Sequence, residues 1–88
     1  MHAVVTRVTV NDREAATSRL REQIVPQVSQ APGFVTGYWT RGDDGTGVAM
    51  VIFESEDAAT NMSERVPSML TESVTLENIE VREVVANA

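Results

Sequence analysis

Few side chains in this sequence have the chemistry of a general base or a nucleophile. His2 is the only histidine, and the 88 residues include neither cysteine nor lysine. Thiolate nucleophiles, thiolate metal ligands, disulfides and Schiff-base amines are therefore excluded. His2 is a candidate general base if the first strand is ordered from its first residue; otherwise it is an exposed residue at the start of that strand. With the single histidine at the second position, no Ser-His-Asp set can be proposed.

Tyr38 and Trp39 are the next candidates, because they are the only tyrosine and the only tryptophan and they are adjacent. Neighbouring residues of a strand point to opposite faces of the sheet, so only one of the two rings can line a pocket between sheet and helices. Phe34 is expected to pack under the helices and has the same parity as Tyr38. We therefore predict Tyr38 in the pocket and Trp39 on the opposite face, with simple core packing of both rings as the alternative.

The arginines offer one further possibility for ligand binding. Arg7, Trp39 and Arg41 are predicted to share a face of the sheet, and an arginine there can bind a substrate carboxylate. The interpretation we favour is an ion pair between two subunits. The acceptors for such a pair would be Glu54, Glu77 or Glu83.

Two other patterns have ordinary structural explanations. Asp43-Asp44 lies in a turn and lacks the number of oxygen ligands that a bound cation needs. Met62 and Met69 recur at helical spacing, as adaptable core residues do. The sequence therefore predicts no metal site.

The charge balance argues against a nucleic-acid partner. The formal net charge is −6, from 13 acidic residues against 7 basic ones, and all seven bases are arginine. These arginines do not cluster along the sequence, so a phosphate backbone would be repelled. The first residues lack the apolar core of a signal peptide, and no stretch approaches the ~18 apolar residues of a membrane helix. We expect a soluble cytoplasmic protein without nucleic-acid or membrane partners.

Alternation and helical periodicity divide the chain into six elements. These are strand 2–10, helix 13–30, strands 34–41 and 46–54, a helix that begins after Ser55, and strand 74–85. Pro26 should kink the first helix or end its regular part near Ile24, and Pro67 predicts a separate last turn in the second helix. The order predicts one α+β domain over residues 1–88 with the ferredoxin-like βαββαβ arrangement, a four-stranded antiparallel sheet with both helices on one face.

The run 48–53 is apolar at every position. A strand of this kind requires cover on both faces, and the helices of so short a chain cover only one. The other face is therefore predicted to meet a second copy of the protein. We place Val5, Ile52, Trp39 and Arg41 in that homodimer interface.

Two short sequence segments, here called the phrases, and the element order resemble those of the dimeric α+β barrel superfamily. The phrases are Ala31-Pro32-Gly33-Phe34, which opens the second strand, and Val51-Ile52-Phe53-Glu54-Ser55-Glu56-Asp57-Ala58-Ala59, which joins the third strand to the second helix. Within the superfamily the chain resembles the antibiotic-biosynthesis monooxygenase-like group. The resemblance implies that two sheets pair face to face into a barrel and that each subunit keeps a small pocket under its helices. It also implies oxidation of polycyclic aromatics, quinols or haem with no dedicated flavin or metal, so no cofactor is expected.

Active members of that group use an asparagine on the first strand, a tryptophan at the end of the third and a histidine on the second helix. These positions fall near Thr6, on Phe53 and on Met62 in this sequence, so all three differ. Methionine cannot transfer a proton at neutral pH, and phenylalanine lacks the indole donor. The usual oxygenase site of the group is therefore expected to be absent, while a pocket for an apolar or aromatic small molecule remains.

Two functions stay open. The first is an enzyme acting on an aromatic or quinone-like ligand, with cofactor-independent oxygenation or isomerisation implied by the resemblance, and with Tyr38 and Thr6 as its polar candidates. The second is a non-catalytic module that senses a ligand or pairs with another protein. The residues predicted to line the pocket are Thr6, Phe34, Tyr38, Val51, Phe53, Met62 and Val66.

Overall fold

The order of elements is the one that the sequence predicts. The computed structural model describes all 88 residues. Its elements are β1 (His2–Val10), α1 (Arg13–Arg19), a π-helical segment (Leu20–Ile24), α2 (Val25–Ser29), β2 (Phe34–Arg41), β3 (Thr46–Phe53), α3 (Glu56–Met69) and β4 (Val74–Glu83). The four strands form one sheet in the order β2-β3-β1-β4, and every neighbouring pair is antiparallel. The ferredoxin-like prediction is therefore confirmed.

Both helical regions begin at a side-chain cap that satisfies a backbone donor. Asp12 Oδ1 accepts a hydrogen bond of 3.1 Å from the N–H of Ala15, and Ser55 Oγ accepts one of 3.1 Å from the N–H of Ala58. Acidic residues follow in each first turn, where the helix dipole favours a negative charge. These caps and the acids that follow them explain why the two helical regions begin at these residues.

Pro26 does not end the first helical region at Ile24. The helix instead widens into a π-helical turn over Leu20–Ile24 and continues as α2 to Ser29. The N–H of Val25 donates to the carbonyl of Leu20, five residues back. A widened turn before Pro26 suits a residue that has no N–H and whose ring would clash with a carbonyl four residues back.

Pro67 likewise leaves α3 uninterrupted. The helix runs from Glu56 to Met69 with Pro67 inside it, so the predicted separate last turn is wrong. Arg19 contributes at this helix end, since its Nε and Nη2 donate to the carbonyl of Met69 at 3.2 and 3.0 Å. A cation at the carboxyl end of a helix satisfies a free carbonyl and complements the helix dipole.

The two phrases that carry the family resemblance meet in space. Gly33 has φ of +82°, and a Cβ built on it would lie 2.9 Å from Cβ of Ala58. The carbonyl of Gly33 accepts a hydrogen bond of 2.8 Å from the N–H of Glu54. Only glycine fits this position, because both the positive φ and the close approach to α3 exclude a side chain.

A β-bulge at the start of β2 decides which side chains lie under the helices. Phe34 is opposite Phe53, but Thr36 is opposite Ile52, so one extra residue is inserted between Phe34 and Thr36. Such an insertion reverses the faces of all later residues relative to simple alternation. Trp39 therefore lies opposite Ala49 on the helix side, and Tyr38 opposite Met50 on the other. The predicted faces of these two rings are wrong for this reason.

The core lies between the sheet and the helices. It consists of buried apolar residues from the central strands and from both helical regions, namely Val4, Ile24, Val28, Val51, Phe53, Ala59, Met62 and Met69. Phe34 packs edge to face on Phe53, with ring centroids 6.2 Å apart. The face of the sheet away from the helices carries no covering element, and we call it the open face. None of the helices is long and apolar enough to span a membrane.

Candidate functional site

A cavity of about 450 Å³ lies between the sheet and the helices, next to the core. Its walls come from β1, β2, β3 and both helical regions, and 17 of the 26 lining residues are hydrophobic. The apolar wall includes Val4, Val8, Leu20, Ile24, Trp39, Val51, Met62 and Val66. Cavities of this size and character are typical of sites for small organic molecules.

Two small residues on β3 form part of the cavity floor. Gly47 and Ala49 are on the cavity face of β3, opposite Val8 and Arg41 in one row and Thr6 and Trp39 in the next. A Cβ on Gly47 would lie 3.0 Å from Cγ2 of Val8. Val8 therefore packs closely over Gly47, and Ala49 keeps the β3 side chain small opposite Trp39.

Trp39 is held at the cavity by a glycine on its own strand. A Cβ on Gly37 would lie 3.0 Å from Cη2 and 3.1 Å from Cζ3 of Trp39. The indole therefore folds back over Gly37, two residues earlier on the same face. A glycine inside a strand often marks such a close approach, and here it gives Trp39 its position.

Hydroxyl groups supply most of the neutral polar surface of the cavity. Thr6 is 8 % exposed and lies on β1 among apolar neighbours. Ser73 and Thr71 lie just before β4, where their hydroxyls are 2.9 Å apart and hydrogen bond to each other. Thr6 is thus the buried hydroxyl on the sheet floor that can donate to or accept from a ligand.

The charged residues along the cavity wall are all arginines. Arg19, Arg21 and Arg41 line it, and no aspartate or glutamate does. Arg19 donates hydrogen bonds to the carbonyl of Met69 at the end of α3 and to Gln23 Oε1. Arg41 Nη2 donates to Thr17 Oγ1, and that hydroxyl donates in turn to the carbonyl of Arg13 at 2.9 Å. The cavity therefore combines an apolar wall with a cationic edge.

His2 is ordered as the first residue of β1 but does not line the cavity. Its Nε2 lies 3.6 Å from Oε2 of Glu56, in the first turn of α3. Its Nδ1 is buried without a hydrogen-bond partner. The structure thus places the only imidazole against the amino end of α3 rather than beside the cavity.

In the hairpin, Asp44 accepts hydrogen bonds within its own turn. Asp44 Oδ1 accepts hydrogen bonds from Oγ1 of Thr46 at 2.6 Å and from its N–H at 3.1 Å. The side-chain bond from Thr46, followed by the backbone bond, lowers the pKa of the Asp44 carboxyl below its ordinary value. The Asp43-Asp44 pair is explained by the turn.

Four of the seven residues predicted for the pocket line the cavity: Thr6, Val51, Met62 and Val66. Phe34 and Phe53 pack on each other instead, and Phe53 is fully buried. Tyr38 is 68 % exposed on the open face. Because of the bulge, the structure moves Tyr38 away from the predicted pocket.

Two of the four residues predicted for the dimer interface line the cavity. Trp39 and Arg41 lie on the helix side of β2, whereas Val5 and Ile52 lie on the open face as expected from alternation. Sequence reasoning missed Trp39 and Arg41 as cavity residues because it assumed an unbroken alternation from Phe34. Gly37 was the available signal, since glycine in a strand marks bulges and close backbone approaches.

The comparisons with known proteins support the fold. The chain is similar to SnoaB, a cofactor-independent oxygenase from Streptomyces nogalater, with a TM-score of 0.73 and 20% identity over 98% of this chain and 94% of that one. A mutant of SnoaB has a TM-score of 0.74 and 22% identity over the same shares of the two chains. The chain is also similar to MhuD, a heme-degrader from Mycobacterium tuberculosis whose structure holds two hemes in its active site. The TM-score is 0.56, with 18% identity over 97% of this chain and 98% of that one.

No protein-family model matches the sequence, and no curated protein matches it. At these identities the structural likeness establishes the fold alone. It confirms the α+β fold that the sequence predicts.

Proposed function

We propose that this chain is a monooxygenase-like enzyme that binds an apolar aromatic or quinone-like molecule in its cavity and oxidises it without a dedicated cofactor. The observation that carries the proposal is the apolar cavity of about 450 Å³ with Trp39 on its wall. An indole offers a flat surface for stacking against an aromatic ring, and the aliphatic wall excludes water from it. The fold likeness to SnoaB, a cofactor-independent oxygenase, supports this activity.

The reaction we propose converts an activated aromatic CH₂ group, as in a hydroxylated anthrone, to a carbonyl. One atom of O₂ becomes the carbonyl oxygen, and the other leaves as water with the two hydrogens of that carbon. The substrate must first lose a proton to become electron-rich enough to react with O₂. No imidazole, carboxylate or phenol lines the cavity, so the substrate has to be acidic enough to release this proton to water before it enters the cavity. Thr6 is placed to hydrogen bond to a substrate oxygen.

A non-catalytic ligand sensor is the second candidate, and one observation favours it. Phe53 and Met62 occupy the positions where the resemblance implies the tryptophan and histidine of active members, and both are buried in the core. A chain with this core can bind an aromatic molecule without turning it over. Oxygen consumption separates the two candidates directly.

We also propose that the open face pairs with a second copy of the chain. Tyr38, Val48 and Met50 are exposed there at 68, 41 and 47 %, beside Val5 and Ile52. An apolar surface of this kind is costly to leave in water. In such a homodimer the cavity of each subunit would lie on the side of its sheet away from the partner.

Oxygen uptake with 1,8-dihydroxyanthrone tests the enzymatic proposal. We expect uptake above the rate without protein, with the corresponding anthraquinone as product. Thr6→Val should slow it, because the substrate loses a hydrogen bond, whereas Thr60→Val on α3 should not, since Thr60 does not line the cavity. Tight binding with no uptake would favour the sensor, and neither binding nor uptake would refute both.

A further inference from the structure

The charges of this protein are distributed unevenly around its cavity. The chain carries 13 acidic residues against 7 basic ones. The cavity wall nevertheless holds three arginines and no acidic residue. Neither ion pair of the structure, His2–Glu56 and Arg82–Glu80, involves a cavity arginine. In an acidic protein, a positive edge on an apolar cavity favours a ligand that carries a negative charge.

Arg41 is a cavity arginine with N–H groups available to bind such a charge. Its position is fixed at the end of β2, and its Nη2 bond to Thr17 holds the guanidinium beside α1 while other N–H groups stay free. Arg19 differs, because it already binds the carbonyl of Met69. Glu14 lies near Arg41 in a shallow depression outside the cavity but forms no ion pair with it.

We propose that Arg41 binds the carboxylate of an aromatic acid whose rings lie against Trp39. This inference rests on the proposed ligand cavity and names the class of its ligand. Trp39 and Arg41 are two residues apart on one strand and share its cavity face, which separates their Cα atoms by about 6.6 Å. An aromatic ring over the indole would thus hold a carboxylate on its edge at the guanidinium, whose planar fork matches it.

Two small residues on β3 lie across from Arg41 and Trp39. Gly47 stands directly across from Arg41, and Ala49 across from Trp39. A ligand lying along β2 would therefore rest over the two smallest side chains of the cavity floor. The same geometry gives a neutral aromatic molecule its stacking surface but provides no charged partner for the guanidinium.

Fluorescence of Trp39, the only tryptophan, reports binding in this cavity. The probes are anthraquinone-2-carboxylate and its neutral carboxamide, whose quinone rings quench indole emission. We expect the wild-type protein to bind the carboxylate on the order of tenfold more tightly, the effect of one charge-assisted hydrogen-bonded pair at a partly exposed site. Arg41→Gln should remove this preference, because it weakens binding of the carboxylate more than binding of the carboxamide. Arg65→Gln on α3, with the same change of charge, should retain it.

The possible outcomes separate this inference from the proposed function. Equal binding of the two probes by the wild-type protein would overturn the role of Arg41 while the aromatic site stands. A carboxylate preference that survives Arg41→Gln would overturn it as well. Absence of quenching by either probe would overturn the ligand cavity and the inference together. The comparison of probes on the wild-type protein needs no variant, so misfolding of Arg41→Gln cannot obscure the result.

Discussion

Replacing Gly37 with alanine should displace Trp39 from its position at the cavity. Gly37 does not have a positive φ, so its backbone accepts alanine without strain. The new methyl group would lie 3.0 and 3.1 Å from two atoms of the indole and 3.4 Å from Cγ2 of Val51. Carbon atoms prefer about 3.5–4.0 Å, so the ring must move by about 0.5–1 Å.

The cost of that movement can be estimated. Overpacking of this kind destabilises a protein by about 1–3 kcal/mol, while exchanging a strand glycine for alanine stabilises it by about 0.5–1 kcal/mol. We therefore expect Gly37→Ala to lower the free energy of unfolding by about 1 kcal/mol. In a Trp39→Phe background the indole atoms nearest the methyl group are gone, so the same substitution should be neutral or stabilising. The two sites should be coupled by about 1–2 kcal/mol.

Urea unfolding of the four proteins of this double-mutant cycle, followed by circular dichroism at one protein concentration, measures the coupling. With a denaturant slope near 1 kcal/mol per M, typical of small domains, Gly37→Ala alone should shift the midpoint by about 1 M. Quenching of Trp39 by anthraquinone-2-carboxylate should also weaken in Gly37→Ala. If Gly37→Ala has the same effect with Trp39 and with phenylalanine at that position, the indole does not lie over Gly37 and the reasoning is refuted.

Three further predictions concern the cavity, the hairpin and a helix start. Ala49→Leu should fill the cavity floor and weaken binding of anthraquinone-2-carboxylate at least tenfold in a fluorescence titration; unchanged affinity would place the ligand elsewhere. The lowered pKa of Asp44 means that its carboxylate stabilises the fold above its unfolded pKa and that this contribution is lost as pH falls through the folded value. Thr46→Val should flatten this acid-side dependence of the urea midpoint, and an unaltered pH profile would argue against the bond. Ser55→Ala should cost about 1 kcal/mol of unfolding free energy through the lost cap, whereas Ser68→Ala on the exposed side of the same helix should cost less; equal losses would contradict the role of the cap.

The fold was predictable because its signals are local and agree with one another. Caps at Asp12 and Ser55, the hairpin turn before Thr46 and the apolar run of β3 each specify an element. Errors arose where backbone geometry departs from regularity without changing the hydrophobic pattern. At Pro26 the sequence predicted a kink or the end of the regular helix near Ile24, and the structure has a π-helical segment at Leu20–Ile24 between two α-helical segments.

The candidate site was predicted less well, and one bulge accounts for most of the difference. Thr6, Val51, Met62 and Val66 line the cavity as predicted, whereas Phe53 on β3 packs on Phe34 instead. The face of every β2 residue after Phe34 depends on whether the strand contains an extra residue, and alternation alone does not reveal that. Trp39 and Arg41 were consequently assigned to the wrong face; they share a face as predicted, but Arg7, predicted with them, lies opposite Val48 on the other face.

The most direct test of the account is to locate an aromatic ligand on the protein by NMR. Side-chain methyl and indole signals would be followed while anthraquinone-2-carboxylate is added. The account predicts shifts at Trp39, Val51 and Met62, which line the cavity, and none at Met50, whose exposed side chain lies on the open face. Shifts confined to Met50 and its neighbours on the open face would contradict the claim that the cavity is the functional site.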